Sequence, residues 1–322
     1  MSHEGNIASE RSAMTQARGF RGVFVIAVTP FDGTGRIDEG SLRAEVDFCV
    51  AAGVHGIVTP ANASEWYALS DRERGRVSQI VVEQAGKRVP VVLSVTGGSQ
   101  WAAAEMARAA QDIGADGLMA MPPPLKPPHG EGVFAYYRAL SEVARVPIII
   151  QNCHPPLGTP MPPELLARMV DELPWVDYIK EEAEPCTHLM SRATALVQNQ
   201  AKLKGVFGGQ AGRYFMNEAA RGACGTMPAC DIPDAHVALW SAHERGDVAA
   251  TRQIYSRILP LLTMEALYGT PVYKEVLRRR GVIRTATVRD PSHGPLDDVD
   301  HRELDVLLAE LSDLLVAKGP FA

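Results

Sequence analysis

The sequence predicts an α/β fold: a (β/α)₈ TIM barrel followed by a small C-terminal helical domain. Three observations support this prediction. Short apolar runs recur eight times at similar spacing, a stretch of helical length follows each run, and three further helical stretches follow the eighth unit. The runs are nearly continuous in apolar residues, which is typical of parallel strands buried on both faces. Eight strand–helix repeats therefore favour a closed parallel barrel.

The eight predicted strands are VFVIAVT from Val23, GIVTP from Gly56, PVVLSV from Pro90, GLMAM from Gly117, PIIIQN from Pro147, WVDYIK from Trp175, LKGVF from Leu203 and GTMPA from Gly225. The predicted helices between and after them span 41–52, 70–85, 100–113, 132–144, 163–173, 185–197, 211–221 and 234–244. Each crossover is long enough to return the chain across a parallel sheet. An open doubly wound sheet is the alternative, although the first strand–helix turn lacks the G-x-G-x-x-G of a dinucleotide fold.

The domain organisation predicted from these patterns has three parts. Residues 1–18 carry mixed charge without an apolar stretch of signal-peptide length, so we expect a mobile leader. The barrel is expected over 19–246. Helical stretches over 248–268, 272–280 and 301–316 predict a C-terminal helical domain over 247–322.

Composition narrows the class of function. The chain has 322 residues, 46% of them hydrophobic, and a net charge of −6 without a long Lys/Arg run, which argues against nucleic acid and membrane as partners. Its five cysteines include no C-x-x-C pair, so neither a disulfide framework nor a structural zinc site is indicated. We expect a soluble, cytoplasmic protein that acts on a small molecule without a metal or cofactor.

The strongest candidate for chemistry is Lys180, at the end of the sixth predicted strand. Barrel enzymes place their sites at the carboxyl ends of the strands, where this lysine would be surrounded by packed side chains. Buried lysines are usually paired with a carboxylate or reach solvent through their stems. The alternative is a Schiff-base nucleophile, because desolvation frees the amine to attack a carbonyl.

Glu182 is the carboxylate expected beside Lys180. Side chains alternate across a strand, so Lys180 and Glu182 should share one face while Glu181 faces the other way. An amine and a carboxylate in one pocket suit imine chemistry, in which the carboxylate moves protons. The same two residues could instead form a structural ion pair, and spacing does not separate the two interpretations.

Other strand ends carry small or polar residues that could contact a substrate: Asn62, Ala63 and Ser64 after the second strand, Gln151 and Asn152 at the fifth, and Gly209 after the seventh. Backbone N–H groups and the Asn62 and Ser64 side chains could hold a carboxylate, although the residues alone slightly favour an ordinary capped turn. Gly209 lies where barrels often bind phosphate, but a tight turn explains adjacent glycines equally well.

Several segments together carry a family resemblance: Thr29-Pro30-Phe31, Glu65, Leu69-Ser70-Asp71-x-Glu73-Arg74, Gly114-Ala115-Asp116-Gly117 and Ile179-Lys180-Glu181. In their order and spacing the chain resembles the dihydrodipicolinate synthase and N-acetylneuraminate lyase superfamily from about Gly22 to the C-terminal helices. The resemblance implies that Lys180 forms a Schiff base with a 2-keto acid and that the loop over 62–64 holds the substrate carboxylate. It further implies that the backbone at Met227 lines the pocket and that the protein is a homotetramer.

The departures from the family pattern refine the expected reaction. The family's Gly-Thr-Thr-Gly-Glu is replaced by Ala61-Asn62-Ala63-Ser64-Glu65, its Tyr-Asn-x-Pro and following arginine by a segment that begins Gln151-Asn152, and its tyrosine pair by Pro124-Leu125. The proton relay and second-substrate arginine of the synthases are therefore missing. The chain is instead similar to the branch that dehydrates 2-keto-3-deoxy sugar acids such as 2-keto-3-deoxyarabonate.

In that interpretation Glu182 carries the proton, and Gln151 and Asn152 orient the substrate hydroxyls. Three alternatives stay open. The same enamine could release pyruvate in a retro-aldol reaction, the protein could condense pyruvate as the synthases do, or it could be a non-catalytic 2-keto acid binder built on an enzyme fold.

Overall fold

A computed structural model describes residues 19–292 and 294–321, and in it eight parallel strands close into a barrel. Each strand pairs with the next in sequence, and β8 pairs with β1. The strands are β1 (Gly22–Ile26), β2 (Gly56–Thr59), β3 (Val91–Ser94), β4 (Gly117–Ala120), β5 (Ile148–Asn152), β6 (Val176–Glu181), β7 (Gly205–Gly208) and β8 (Gly225–Thr226). The predicted barrel is confirmed, and the open sheet is excluded. The predicted leader over 1–18 lies outside the described residues.

The helices follow the predicted order. They are α1 (Glu39–Ala51), α2 (Asp71–Ala85), α3 (Gln100–Asp112), α4 (Gly130–Val143), α5 (Pro163–Glu172), α6 (Cys186–Leu196), α7 (Phe215–Ala219), α8 (Pro233–Glu244), α9 (Val248–Tyr268), α10 (Thr270–Arg279) and α11 (Asp298–Glu310). Helix α2 begins where it does because Ser70 and Glu73 form a reciprocal capping box. In the described part of the chain, no helix is both long and apolar enough to cross a membrane.

Two predicted helices differ from the structure. The stretch over 211–221 is broken, because Gln210 and Ala211 have left-handed φ angles of 52° and 56°. A short 3₁₀ turn stands there, and the α-helix that follows covers only Phe215–Ala219. The stretch over 301–316 is helical from Asp298 and ends at Glu310. The first difference affects the candidate site, because a turn rather than a helix lies at the mouth of the barrel after β7.

The interior of the barrel is filled by side chains, which restricts any pocket to one end. The rings of Phe24, Tyr178 and Phe207 pack against one another, with centroids 5.2 to 6.0 Å apart along the two contacts that Phe207 makes. A second, larger apolar layer lies between the strands and the surrounding helices. Such packing is typical of (β/α)₈ barrels and leaves the carboxyl ends of the strands for function.

The C-terminal helices pack directly on the barrel. Arg280, after α10, forms a buried ion pair with Asp234 of α8 at 2.7 Å. Lys274 of α10 forms another with Glu65 in the loop after β2, and both side chains are fully buried. Helix α10 is thereby fixed against the loops at the carboxyl ends of the strands. The boundary at residue 247 stays a prediction.

Candidate active site

A small cavity of about 130 Å³ opens at the carboxyl ends of the strands. Strand ends, loops and C-terminal helices all contribute to its lining: Ile26, Lys180, Glu182, Met227, Ala229, Asn62, Ala63, Gln210, Ala211, Arg213, Ala266 and Tyr273. The position is the one at which (β/α)₈ barrels carry their sites. Five of the residues predicted from the sequence line it, namely Lys180, Glu182, Asn62, Ala63 and Met227.

Lys180 and Glu182 lie side by side in this cavity. Nζ of Lys180 is 3.0 Å from Oε1 of Glu182, and the two residues are only 1% and 8% exposed. Burial alone would raise the pKa of the Glu182 carboxyl, but the neighbouring Lys180 charge and hydrogen bonds from Gln151, Lys180 and Gln210 hold it below its usual value. The Glu182 carboxylate is therefore ionised. Its place beside the Lys180 amine agrees with the alternation of side chains predicted for this strand end.

Gln151 supports Glu182 from the neighbouring strand. Its Nε2 donates to Oε2 of Glu182 at 2.8 Å, and the side chain is buried. In the register of β5 and β6, Gln151 is paired with Lys180. Gln151 therefore orients the carboxylate from the strand position next to the lysine.

Asn152 and Glu181 face the other side of the sheet. Nδ2 of Asn152 donates to both carboxylate oxygens of Glu181, at 3.0 and 2.9 Å, and to the carbonyl of Met161. Burial raises the pKa of Glu181 to about 8, although Asn152 and the N–H of Ala183 donate to it. Asn152, predicted to orient substrate hydroxyls, instead pairs with Glu181 outside the pocket.

Ser64 likewise has its hydroxyl occupied. Oγ of Ser64 donates to the carbonyl of Ala27 and accepts from the N–H of Ala61. The side chain is fully buried and fixes the loop against β1. Ser64, predicted to contact the substrate, has no free hydroxyl with which to hold a carboxylate.

Asn62 and Ala63 begin a single 3₁₀ turn at the cavity wall. Oδ1 of Asn62 accepts from Trp66 Nε1 at 3.1 Å, and Nδ2 lies 3.7 Å from Sγ of Cys153. Among the residues that the structure describes, no acceptor lies within hydrogen-bond distance of the backbone N–H groups of Asn62 and Ala63. The first N–H groups of such a turn are free donors.

Gly209 and Met227 shape the pocket through their backbones. A Cβ on Gly209 would lie 2.3 Å from Cγ of Glu182, so only glycine leaves room for that carboxylate. The N–H of Met227 donates to the carbonyl of Gly208 at 3.1 Å. Gly209 was predicted as a substrate contact, and the structure gives it a close approach to Glu182.

Glu65 anchors the loop after β2 from beneath. Its carboxylate accepts from Lys274 Nζ and from the N–H groups of Arg289 and Asp290. Its own φ of 55° is unusual for a residue with a side chain. The buried charge therefore joins the loop, helix α10 and the segment after it.

The pocket also contains three polar residues that the sequence patterns did not predict: Gln210, Arg213 and Tyr273. Gln210 and Arg213 belong to the turn that interrupts the predicted seventh helix, and Tyr273 lies on α10 after the barrel. A turn that follows the Gly-Gly pair at a strand end was the available signal for the first two. No local pattern marks Tyr273, because it reaches the pocket only through tertiary packing.

Metal ligands do not assemble in the described part of the chain. Within residues 19–292 and 294–321, no group of three or more His, Cys, Asp or Glu side chains is arranged to hold a metal ion. The five cysteines are buried free thiols. The groups at the site with reactive or titratable character are thus an amine, a carboxylate, a guanidinium and a phenol.

A closed (β/α)₈ barrel with a buried lysine–carboxylate pair at the carboxyl ends of its strands has the architecture of a barrel enzyme. The profile of the dihydrodipicolinate synthetase family matches residues 19–311, and the chain belongs to this family.

Similar proteins carry two different names. The chain is 30% identical to an L-2-keto-3-deoxyarabonate dehydratase of Azospirillum brasilense over 84% of this chain and 88% of the relative. It is 29% identical to a 4-hydroxy-tetrahydrodipicolinate synthase of Methanothrix thermoacetophila over 92% and 98%. The crystal structure of a dihydrodipicolinate synthase from Rhodopseudomonas palustris superimposes with a TM-score of 0.83 at 28% identity, covering 90% of this chain and 97% of that one.

Proposed function

We propose that this protein is a Schiff-base-forming lyase that dehydrates a 2-keto-3-deoxy sugar acid. The observation that carries the proposal is the ion pair of Lys180 and Glu182, which places an imine-forming amine 3.0 Å from a carboxylate in the cavity at the carboxyl ends of the strands. A buried ion pair alone contributes little to stability, so its position at the functional end of the barrel favours a chemical role.

The reaction follows from these two groups. Nζ of Lys180 gives one proton to Glu182 and attacks the carbonyl carbon C2. The carbonyl oxygen leaves as water with that proton and a second one from Nζ, and a protonated imine forms. The imine acidifies C3. Glu182 takes the C3 proton, and the electron pair of the broken C–H bond forms the enamine. The enamine then expels the C4 hydroxyl, which takes the proton from Glu182 and leaves as water. A proton then leaves C5 and another is added at C3, which makes C5 an enol and, after tautomerisation, an aldehyde. Hydrolysis of the imine releases this semialdehyde and Lys180.

The surrounding residues suit this sequence of steps. We infer that the free N–H groups of Asn62 and Ala63 bind the substrate carboxylate. Gln151 holds the Glu182 carboxylate with its 2.8 Å hydrogen bond. In this proposal Asn152 and Ser64 support the site without touching substrate, because their side chains are bound to Glu181 and Ala27.

Dehydration is favoured over synthase-like condensation because residues without a phenol occupy the positions of the synthases' relay tyrosines. The strand position next to Lys180 carries Gln151, and the loop after β4 carries Pro124 and Leu125, so neither supplies a phenol. The relative from Azospirillum brasilense, named as an L-2-keto-3-deoxyarabonate dehydratase, supports the same choice. Retro-aldol cleavage of the same enamine is the second candidate, because both reactions pass through a Lys180 imine.

Borohydride trapping tests the covalent step. We expect pyruvate and borohydride to add one pyruvate-derived group per chain, detected by intact mass, and Lys180→Arg to abolish both the adduct and turnover. Lys204→Arg is the matched control, since Lys204 lies on the outside of the barrel beside Asp177. An adduct that persists in Lys180→Arg would remove Lys180 from the mechanism.

Product analysis separates the reactions. With 2-keto-3-deoxyarabonate or a related sugar acid we expect the dehydrated semialdehyde rather than pyruvate. We expect no appreciable condensation of pyruvate with aspartate semialdehyde. Pyruvate as the main product would favour the retro-aldolase, and an adduct without turnover of any sugar acid tested would favour the binding protein.

A further inference from the structure

The turn after β7 brings an arginine to the pocket. The left-handed φ angles of Gln210 and Ala211 fold the chain back on itself, so that Gln210, Ala211 and Arg213 all line the cavity. Nη2 of Arg213 donates to Oε1 of Gln210 at 2.6 Å, and Nε donates to the Gln210 carbonyl at 3.4 Å. The guanidinium is therefore held in one orientation.

Gln210 also connects Arg213 to the catalytic pair. The N–H of Gln210 donates to Oε1 of Glu182 at 3.3 Å, and its Nε2 donates to the Glu182 carbonyl at 3.2 Å. The resulting order of contacts is Lys180, Glu182, Gln210, Arg213. Arg213 is thus separated from the imine-forming amine by two side chains within one cavity.

The guanidinium of Arg213 lies over the Tyr214 ring, 5.6 Å from its centre. In the described ranges no carboxylate lies within 4.0 Å of its guanidinium, whereas the buried Arg280 is paired with Asp234 at 2.7 Å. Among the charged residues that line the cavity, Lys180 and Glu182 neutralise each other, so the lining itself carries the positive charge of Arg213 in excess.

Two buried acids, Asp231 and Glu265, lie close to Tyr273 at the pocket. Burial raises the pKa of Asp231 to about 6 and that of Glu265 well above its usual value, so Asp231 carries the negative charge of the two. Asp231 lies by Arg280, whose Nη1 donates to the Asp231 carbonyl at 2.7 Å.

We propose that Arg213, oriented by Gln210, binds a second anionic group at the end of the substrate remote from the imine. The substrate is then a 2-keto acid with a carboxylate or a phosphate at its far end, such as a 2-keto-3-deoxy sugar diacid. A guanidinium with unused N–H donors suits the planar, bidentate recognition of either anion. This inference rests on the proposed Lys180 chemistry and adds the substrate class.

Two keto acids that differ in one group test the subsite without requiring dehydration. 2-Oxoglutarate and 2-oxopentanoate have the same chain length, but only the first has a carboxylate at C5. We expect borohydride-trapped adducts of the wild-type protein to reach half-saturation at an about 10-fold lower concentration of 2-oxoglutarate, the effect of one charged hydrogen bond. Equal half-saturation in the wild type would overturn the inference.

Variants assign the preference to Arg213. Arg213→Gln should abolish the preference for 2-oxoglutarate while leaving half-saturation by 2-oxopentanoate within about 3-fold, and Arg213→Lys should keep part of it. Arg221→Gln is the matched control, because Arg221 is exposed and its Nη1 donates to the Asn217 carbonyl. Thermal melting checks that each variant is folded. A preference that survives in a folded Arg213→Gln protein would refute the assignment.

Competition distinguishes the two anions. Glutarate that displaces 2-oxoglutarate better than inorganic phosphate does would identify the far group as a carboxylate, and the reverse would identify a phosphate. No competition by either would count against an anionic subsite. If the proposed function is wrong, the result is different, because not even pyruvate then forms an adduct. The anionic subsite for a Lys180-bound substrate is then refuted as well.

Discussion

At the scale of single residues, the protonation of Glu182 decides what it can do. Burial raises its pKa, but the adjacent ammonium of Lys180 and three hydrogen bonds outweigh burial and keep the carboxylate ionised. A carboxylate that is already ionised can accept the C3 proton at once. The environment that makes Glu182 a base also holds it 3.0 Å from the amine that carries the substrate.

Glu182→Gln should separate imine formation from dehydration. The amide keeps the shape but cannot accept the C3 proton, so we expect the borohydride adduct with pyruvate to persist while kcat for dehydration falls ~10² to 10⁴-fold. Glu181→Gln is the matched control. Because Glu181 faces Asn152 outside the pocket, we expect this variant to lose stability with little change in kcat. Near wild-type dehydration by Glu182→Gln, or a larger loss of kcat in Glu181→Gln, would identify a different proton carrier.

Alternation along a strand predicted some site residues and should have excluded another. It correctly put Lys180 and Glu182 on one face, because side chains of an extended strand point alternately to the two sides. The same rule forbids neighbours such as Gln151 and Asn152 from both entering the pocket, and the structure turns only Gln151 inward. Residue type at a strand end is a weaker guide than strand register.

At the scale of elements, the sequence predicts what is regular and misses what breaks regularity. Each of the eight strands coincides with a short apolar run, and α2 has a capping box, so both are visible in the local sequence. The turn after β7 is not, because Gln210 and Ala211 adopt left-handed conformations that their residue types do not favour. Arg213 was hidden by this error, since it lies inside the stretch predicted as helix.

Helix α10 is a further element that sequence could not place. Its Tyr273 lines the pocket, and its Lys274 reaches Glu65 in the loop after β2. Contacts between residues about 200 positions apart leave no periodic signal in the sequence. The C-terminal helices are consequently part of the candidate site.

Lys274→Met should strongly destabilise the protein. The lysine and Glu65 are both fully buried, so removing one leaves an uncompensated charge, and we expect the free energy of unfolding in urea to fall by about 3 to 5 kcal/mol. Lys274→Met combined with Glu65→Gln should recover part of this loss. Arg145→Met, which breaks a pair whose side chains are 69% and 71% exposed, should cost under about 1 kcal/mol. Equal effects of the two single variants would show that the buried pair does not anchor α10.

At the scale of the whole molecule, burial places several acids in the protein in their neutral form. The pKa values of Glu45, Glu181 and Glu218 are each raised to about 8, in every case chiefly by burial. Glu181 lies at the end of β6, Glu218 lies on α7, and Glu45 lies on α1. The homotetramer implied by the family resemblance stays a prediction, and none of these three carboxyls depends on it, because all are buried within one chain.

Glu45 makes the pH dependence of stability testable. Its Oε1 accepts from the N–H of Val28 at 2.8 Å and from Sγ of Cys230, while no partner for Oε2 occurs in the described part of the chain. The folded protein therefore retains a proton at Glu45 up to pH about 8, while the unfolded chain loses it near pH 4.5. Because the folded state binds the proton more tightly, the stabilisation is complete below the lower value and is lost as the pH rises.

Glu45→Gln replaces a neutral acid with a neutral amide of the same shape, so its free energy of unfolding should not carry this pH dependence. We expect the wild type to lose roughly 3 kcal/mol relative to Glu45→Gln between pH 5 and pH 8, measured by urea unfolding at one protein concentration. Glu39→Gln is the control with the opposite sign. A hydrogen bond from Arg76 lowers the pKa of Glu39, so its effect on stability should change only below pH 5. A constant difference between wild type and Glu45→Gln across this range would mean that Glu45 is ionised in the folded protein and that a counter-charge, rather than burial, governs it.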